Sequence, residues 1–406
     1  FIFPGIANVN RFALITLGAR QPQDGNEVEF AFYLRNAAHI EDRARRFSLS
    51  KDDFCRLNPN TLTCPVFRTN RDAEITRSIY QRLPVVIDEA NQDGNPWNVD
   101  FHRMFDMAND SDLFLTASEV ADEHEEILPL YEGKIIWHYD HRFSSYHNLG
   151  KLKGRGGRGL PPTLPEEYES PDYEVTPRYW LKKSIVDRRL ADLGISHSWL
   201  LGWRDVANAK VERTMVCSVF PRCAANHKLP IISSDANAIE IAPFFANLAS
   251  IPFDFVARQK MGGTSFAYFY LKQLPILPPS AYTEADLAFI VPRVLELSYT
   301  SHSMAPFARD LGYEGPPFAW DEDRRAQLRA ELDAWYALAY GLTHDELRYV
   351  LDPKDVMGED YPSETFRVLQ KNEIARYGEY RTRRLVLAAY DKLTGEGMRP
   401  RTEGYR

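Results

Sequence analysis

The spacing of apolar residues changes at about residue 281, and this change restricts the fold to one that combines strands and helices. Before this point, aromatic and β-branched stretches lie between Gly- and Pro-rich connections, a pattern typical of strands. After it, apolar residues recur every three or four positions, as they do on one face of a helix. The change predicts an α+β fold in which a strand-rich domain is followed by a C-terminal helical module.

Local signals support the helical module. Thr283 and Thr343 are each followed three residues later by an acidic residue, which is the pattern of a capping box at a helix start. Gly341 is placed where a helix should end. Two further helices are predicted at 364–376 and 380–393. These helices indicate a structural module and carry no pattern of catalytic residues.

A chain of 406 residues is too long for one compact core, so we expect more than one domain. The predicted parts are an N-terminal β-hairpin and connector (1–94), a strand-rich domain (95–280) and the helical module (281–406). Within them we expect hairpin strands at 12–17 and 28–34, a helix at 72–80, paired strands at 198–206 and 214–220, and extended chain at 253–275. The chain lacks an initiator Met, which predicts that it is part of a longer polypeptide.

Composition excludes several classes of protein. Hydrophobic content of 44% and charged content of 26% are those of a soluble globular protein, and no apolar run is long enough to span a membrane. The four cysteines lack CxxC spacing, so reduced thiols in a cytoplasm are expected. A net charge of −8 argues against a uniformly basic surface, yet residues 134–213 hold 14 basic and 10 acidic residues. This excess of basic residues favours a local positive field, and the local field governs docking.

Aromatic and cationic residues alternate between Tyr131 and Phe143, and again in Pro177-Arg-Tyr-Trp180. On an extended strand one face is buried, and the other is free to offer Lys134, His138 or Arg142 to a polyanion. Rings that stack on bases and cations that bind phosphate suit contact with nucleic acid. The same run is equally typical of a half-buried sheet with ordinary surface charges.

Residues 151–159 form a loop rich in Gly, Lys and Arg. No Gly-Lys-Ser/Thr follows, so this loop is not a nucleotide-binding P-loop. It either closes over a phosphate backbone through Lys151, Lys153, Arg155 and Arg158 or is a solvated linker, and we favour phosphate contact.

Three short motifs resemble catalytic or metal-binding patterns, and each is incomplete. Asn58-Pro-Asn-Thr61 lacks the second proline and the ring of the Asn-Pro-Pro-aromatic motif of amino-methylating enzymes, and it reads as a turn. Glu132 and Lys134 resemble part of a metal-dependent nuclease site, but the upstream Asp122 lies in a polar run without strand character. On a strand, His138 and His141 would face opposite sides and could not readily share an ion. We predict no catalytic residue and no metal ligand.

Taken in order, many segments resemble those of large adenine-specific DNA methyltransferases, of the type found in fused restriction–modification enzymes and in BREX- or DISARM-like phage defence. The matching segments cover most of residues 1–390. They are Asn58-Pro-Asn-Thr61, Pro65-Val-Phe67, Pro96-Trp97, Met104-Phe-Asp-Met107, Tyr131-Glu-Gly-Lys134, Asp140-His-Arg-Phe143, Pro177-Arg-Tyr-Trp180, Arg213-Thr214, Phe253-Asp-Phe-Val-Ala-Arg-Gln-Lys260, Gly262-Gly-Thr264, Gln273-Leu-Pro275, Glu331-Leu-Asp333, Tyr340-Gly-Leu342 and Asp345-Glu-Leu-Arg348.

In that family an N-terminal domain binds S-adenosylmethionine and carries the catalytic motif. This chain holds neither that motif nor a glycine-rich turn after a strand. The resemblance therefore implies the DNA target-recognition and helical region of an N6-adenine methyltransferase in a prokaryotic cytoplasm. It implies no cofactor bound by this region, S-adenosylmethionine in the parent protein, and residues 1–94 as the connector to the methyltransferase domain.

The expected partners are double-stranded DNA and the methyltransferase domain, with other defence subunits or a phage inhibitor as further candidates. Phosphate contacts are predicted for Lys151, Lys153, Arg155, Arg158 and Lys182, and base readers among Arg142, Arg178, Lys210 and Arg213. Lys134, His138, Tyr179, Arg258 and Lys260 complete the set of predicted DNA-binding residues. Two alternatives stay open: a non-enzymatic adaptor that binds a partner protein, and a nuclease component built on Glu132 and Lys134.

Overall fold

A computed structural model describes residues 27–150 and 159–405, and within them the protein has an α+β fold with a helical C-terminal region. The strands are β1 (Val28–Ala31), β2 (Arg46–Leu49), β3 (Val99–His102), β4 (Ile127–Tyr131), β5 (Trp180–Lys182), β6 (Trp199–Trp203), β7 (Cys217–Pro221), β8 (Ala224–Ala225) and β9 (Ile231–Ser234). The helices are α1 (Lys51–Leu57), α2 (Asn70–Arg82), α3 (Ala117–Val120), α4 (Pro165–Glu169), α5 (Lys183–Asp192), α6 (Ala238–Ala249), α7 (Ile251–Lys260), α8 (Tyr268–Lys272), α9 (Glu284–Ser298), α10 (Ala305–Asp310), α11 (Glu322–Ala339), α12 (His344–Leu351), α13 (Pro353–Met357), α14 (Arg367–Tyr377) and α15 (Arg381–Gly395).

A four-stranded sheet in the order β3-β9-β6-β7 separates two hydrophobic cores. Successive side chains of a strand point to opposite faces. In β6, Trp199, Leu201 and Trp203 therefore face the larger core, whereas Leu200 faces the smaller one. Gly202 is required on this strand, because a Cβ there would lie 2.6 Å from the carbonyl oxygen of Pro230. Strands β6 and β7 are buried on both faces, which explains their runs of apolar residues.

The smaller core is built entirely from residues between Met104 and Ile231. It lies under a three-stranded sheet in the order β5-β4-β8, in which β4 is antiparallel to β5 and parallel to β8. The larger core draws residues from all three of the parts predicted from the sequence, from Phe47 to Leu393. The division at residues 94 and 280 itself stays a prediction.

The helix-start and helix-end signals of the C-terminal region are confirmed. The Thr283 and Thr343 side chains accept the backbone N–H of Asp286 and Glu346, and both capping boxes are complete. Gly341 follows α11 with φ of +72°, a conformation that glycine adopts without a Cβ penalty. Helices α14 and α15 correspond to the predicted helices, and α15 packs along α11. The predicted helix at 72–80 is confirmed as part of α2.

The predicted pairing of 198–206 with 214–220 is also confirmed, as antiparallel β6 and β7. The predicted strand at 12–17 lies outside the described residues, and the second hairpin strand contains β1, which pairs with β2. Two predictions of extended chain are wrong. Residues 251–260 form the helix α7, and nearly every side chain in it is buried, so no helical period is visible in the sequence.

The other error is the strand predicted from Tyr131 to Phe143. Strand β4 ends at Tyr131, residues 133–135 form a 3₁₀ turn, and the chain then reverses between Trp137 and Asp140. Tyr139 takes the left-handed conformation at φ +58°, which ends any extended run. Alternation of faces therefore does not apply to His138 and Arg142.

No single helix of the described ranges has the length and apolar character to cross a membrane. The consecutive helices α6 and α7 reach that length only when taken together, and a 56° bend separates them.

Candidate nucleic-acid interface

Four of the predicted DNA-binding residues lie on or beside strands β4 and β5. Lys182 ends β5 opposite Ile127 of β4, and the carbonyl of Tyr179 accepts the Leu130 N–H at 2.9 Å. Arg178 precedes them and is exposed, with its guanidinium 5.1 Å from the ring centre of Tyr179. Lys134 follows β4 in the next turn. Lys182 thus lies opposite the start of β4 and Lys134 follows its end, while Tyr179 packs against the smaller core.

Two of these cations are already neutralised. Lys134 lies 3.1 Å from Glu132 and 4.9 Å from the ring centre of Tyr146, and Lys182 lies 3.0 Å from Glu123. The hydrogen bond to Glu123 raises the pKa of Lys182, so the lysine keeps its charge while the pair as a whole carries none. Arg178, by contrast, makes no ion pair with any residue in the described ranges.

His138 and Arg142 were predicted to contact DNA, and both are buried instead. Arg142 is 0% exposed, and its guanidinium donates to the carbonyls of Ser170, Tyr173 and Thr300. Burial, reinforced by nearby arginines, lowers the pKa of His138 well below its usual value, so the ring is neutral at neutral pH. Neither side chain is accessible to a polyanion. The prediction that they bind DNA is therefore wrong, and both residues have structural roles.

Arg213 and Arg258 were also predicted to bind DNA, and both instead flank the buried carboxylate of Asp254. Arg213 Nε lies 2.6 Å and Arg258 Nε 3.4 Å from its two oxygens. Burial opposes the charge of Arg213, but Asp254 and Asp333 outweigh burial and raise its pKa. These two arginines stabilise the joint between the loop before β7 and α7. Lys210, three residues before Arg213, is exposed and makes no ion pair with a described residue.

Lys260, another predicted contact, holds the turn that follows α1. Its ammonium donates to the Leu57 carbonyl, to Asn58 Oδ1 at 2.6 Å and to the Gln273 carbonyl at 3.0 Å. An ammonium has three donor hydrogens, so this set leaves none for a phosphate. The prediction that 58–61 is a turn is confirmed, since the Asn58 carbonyl accepts the Thr61 N–H at 3.3 Å.

The remaining predicted contacts, Lys151, Lys153, Arg155 and Arg158, lie outside the described residues. The region proposed as a nuclease site holds Glu132 with Lys134 and the Tyr146 hydroxyl, which donates to Glu132 at 2.7 Å. Across the described ranges, no group of three or more His, Cys, Asp or Glu residues is arranged to hold a metal ion.

One cleft of the described structure was not anticipated from the sequence. It has a volume of about 620 Å³ and lies between the turn after α1, the end of β3 and α8. Its lining includes Asn60, Phe101, His102, Arg103, Tyr268, Phe269 and Lys272. The sequence feature that could have indicated this cleft is the run Tyr268-Phe-Tyr270 followed by Lys272. It combines aromatic and cationic residues, as does the segment near residue 131.

The charges in this cleft leave one net positive group. Lys272 pairs with Glu89 at 2.6 Å, and Arg103 is exposed without an ion pair to any described residue. Burial lowers the pKa of His102, so its imidazole is neutral at pH 7. Burial also raises the pKa of Tyr268 to about 12, so its phenol keeps its proton. The cleft therefore offers one available guanidinium beside aromatic rings.

Comparison with known proteins gives no identification. No protein-family profile matches this chain, and no curated protein is significantly similar to it in sequence.

Proposed function

We propose that this chain is the DNA-binding and target-recognition part of an S-adenosylmethionine-dependent N6-adenine DNA methyltransferase, acting in a prokaryotic restriction–modification or phage-defence system. The proposed partners are double-stranded DNA and a methyltransferase domain that binds the cofactor. The proposed location is the prokaryotic cytoplasm, where such DNA is found. The ordered resemblance of segments along the chain supports this class.

One structural observation carries the proposal. Arg178 and Lys210 are exposed and have no ion-pair partner among the described residues. The other described cations among the candidates are ion-paired, buried or, for Lys260, hydrogen-bonded to three acceptors within the protein. A cation that gains a phosphate without first losing a carboxylate contributes most to DNA affinity. We therefore assign Arg178 and Lys210 to the DNA backbone, whereas the sequence alone had placed them among the predicted base readers.

Charge reversal tests this proposal. We expect the double variant Arg178→Glu, Lys210→Glu to lose most of its affinity for a fluorescently labelled duplex at low salt. Lys371→Glu, an exposed lysine of α14, is the matched control and should bind as the unchanged protein does. Equal duplex binding by all three proteins contradicts the assignment.

A protein-binding adaptor is the second candidate, and one observation favours it. Val356 and Met357 of α13 and Ile374 and Tyr377 of α14 are large apolar side chains that are exposed. Within each helix the two residues are neighbours, and neighbouring exposed apolar side chains are typical of surfaces that bind proteins. If the protein is an adaptor, the unchanged protein should have no affinity for DNA. The charge-reversal variant should then still bind the partner protein.

A further inference from the structure

The cleft beside α8 combines an exposed aromatic ring with an available cation. Phe269 is 50% exposed, although its ring centre lies only 4.2 Å from that of Tyr270. A phenylalanine exposed to this extent gains little from burial, so its ring is available to a ligand. Arg103 lies in the same lining, with its guanidinium 5.6 Å from the ring centre of Tyr268.

The walls of this cleft are held in place from several sides. Asn60 donates to the Ile87 carbonyl at 2.7 Å and accepts the Glu89 N–H at 2.8 Å. Tyr268 packs against Phe101 and Trp203, with ring centres 5.8 and 5.5 Å away. A site whose walls are fixed in this way loses little conformational entropy when a ligand binds.

Size and charge limit what the cleft can hold. A volume of about 620 Å³ is within the range of about 300 to 1,000 Å³ typical of small-ligand sites and is too small for a duplex. One unneutralised guanidinium suits one phosphodiester, and an exposed ring suits the face of one base. A single unpaired nucleotide satisfies all three conditions.

The turn beside the cleft adds a second, independent observation. Leu62 follows the cleft-lining Thr61, is 58% exposed and has the left-handed backbone conformation at φ +51°. This conformation is disfavoured for a non-glycine residue and persists where the surrounding structure enforces it. Exposed apolar side chains that separate stacked bases are a recurrent device of DNA-binding proteins. Leu62 is suited to keep a nucleotide unstacked at the cleft.

We propose that the cleft binds one unpaired nucleotide of single-stranded DNA, with the base stacked on Phe269 and its phosphate bound by Arg103. This inference rests on the proposed function for the source of the strand. It adds a site for unpaired DNA that is separate from Arg178 and Lys210, the residues assigned to the duplex.

Binding of short labelled oligonucleotides, measured by fluorescence anisotropy, tests the inference. Each protein is titrated with one mixed-sequence single strand and with the duplex of the same sequence. Phe269→Ala is expected to weaken single-strand binding between about 5-fold and about 150-fold while leaving duplex binding unchanged. Arg103→Gln is expected to lower the salt slope of single-strand binding by about 0.7. Ile239→Ala, an exposed apolar residue of α6 outside the cleft lining, is the control.

The outcomes separate this inference from the proposed function. Loss of single-strand binding in Phe269→Ala, with duplex binding kept, supports both. The same loss in a protein that never binds duplex supports the cleft and overturns the proposed function. Unchanged single-strand binding in Phe269→Ala overturns the proposed nucleotide site in the cleft. Duplex binding by the same proteins would still support the proposed function. Absence of binding to either DNA by the unchanged protein overturns both.

Discussion

Arg142 is hydrogen-bonded to Thr300 across the boundary between the strand-rich and helical parts of the chain. Its Nη2 donates to the Thr300 carbonyl at 2.9 Å and to Thr300 Oγ1 at 3.2 Å. The neighbouring His141 Nε2 lies 3.0 Å from Ser301 Oγ. These contacts fasten the loop after β4 to the segment that follows α9, so a residue predicted to read DNA instead joins two parts of the fold.

Replacing this arginine should destabilise the protein. We expect Arg142→Ala to lower the free energy of unfolding by about 3 kcal/mol or more, because buried carbonyls of Ser170, Tyr173 and Thr300 lose their donor. Urea unfolding measures this change. Arg178→Ala, at an exposed position, should change stability by less than about 0.5 kcal/mol. An Arg142→Ala protein with full stability and no DNA binding would restore the original assignment.

The carboxylate of Asp254 is the centre of a second buried network. It is bonded to Arg213 Nε at 2.6 Å and to the Thr214 N–H at 3.0 Å. Asp254→Asn removes the buried carboxylate that pairs with both Arg213 and Arg258, which should cost about 3–5 kcal/mol. The control Asp187→Asn breaks the more exposed pair with Arg222 and should cost less than about 1 kcal/mol. Equal thermal stability of the two variants contradicts the network.

Stability should also depend on the protonation of His141. Burial, with Arg142 and Arg325 nearby, lowers its pKa well below the usual value, so the unfolded chain takes up the proton first as pH falls. Neutral His141 thus contributes its full share of the free energy of unfolding above about pH 6.5. Below about pH 6.5 this share of the free energy of unfolding is lost at about 1.4 kcal/mol per pH unit. We expect His141→Gln to show a shallower loss of unfolding free energy below pH 6.5 than the unchanged protein.

The matched control for this titration is His147→Gln, at an exposed position six residues away. This variant should lose unfolding free energy below pH 6.5 as steeply as the unchanged protein does. Chemical unfolding at several pH values provides the measurement, and identical pH slopes for all three proteins would show that His141 contributes nothing.

Local signals in the sequence were sufficient to predict the helices of the C-terminal region. A capping box such as that at Thr343 involves residues three positions apart, so its geometry is encoded within one turn. Helix α7 was missed because it is buried on all sides, and then neither helical nor strand periodicity survives in the sequence. Paired strands β6 and β7 were found because their apolar runs are bounded by turn residues.

The sequence could not be used to predict which charged residues are buried. An arginine at position 142 is equally compatible with a surface and with a core, and only Thr300, far along the chain, decides between them. The cleft is a similar case, because Asn60, Arg103 and Phe269 are brought together by the fold from three distant segments. Such a site has no local pattern, so the structure was needed to find it.

The salt dependence of duplex binding tests the central claim most directly. If Arg178 and Lys210 each neutralise a phosphate, the logarithm of the binding constant should fall linearly with the logarithm of salt concentration, with a slope of about −1.8 or steeper. Replacing either cation by Gln should reduce the magnitude of that slope by about 0.9. A protein that shows no duplex affinity at low salt, or whose affinity does not change with salt, would contradict the account.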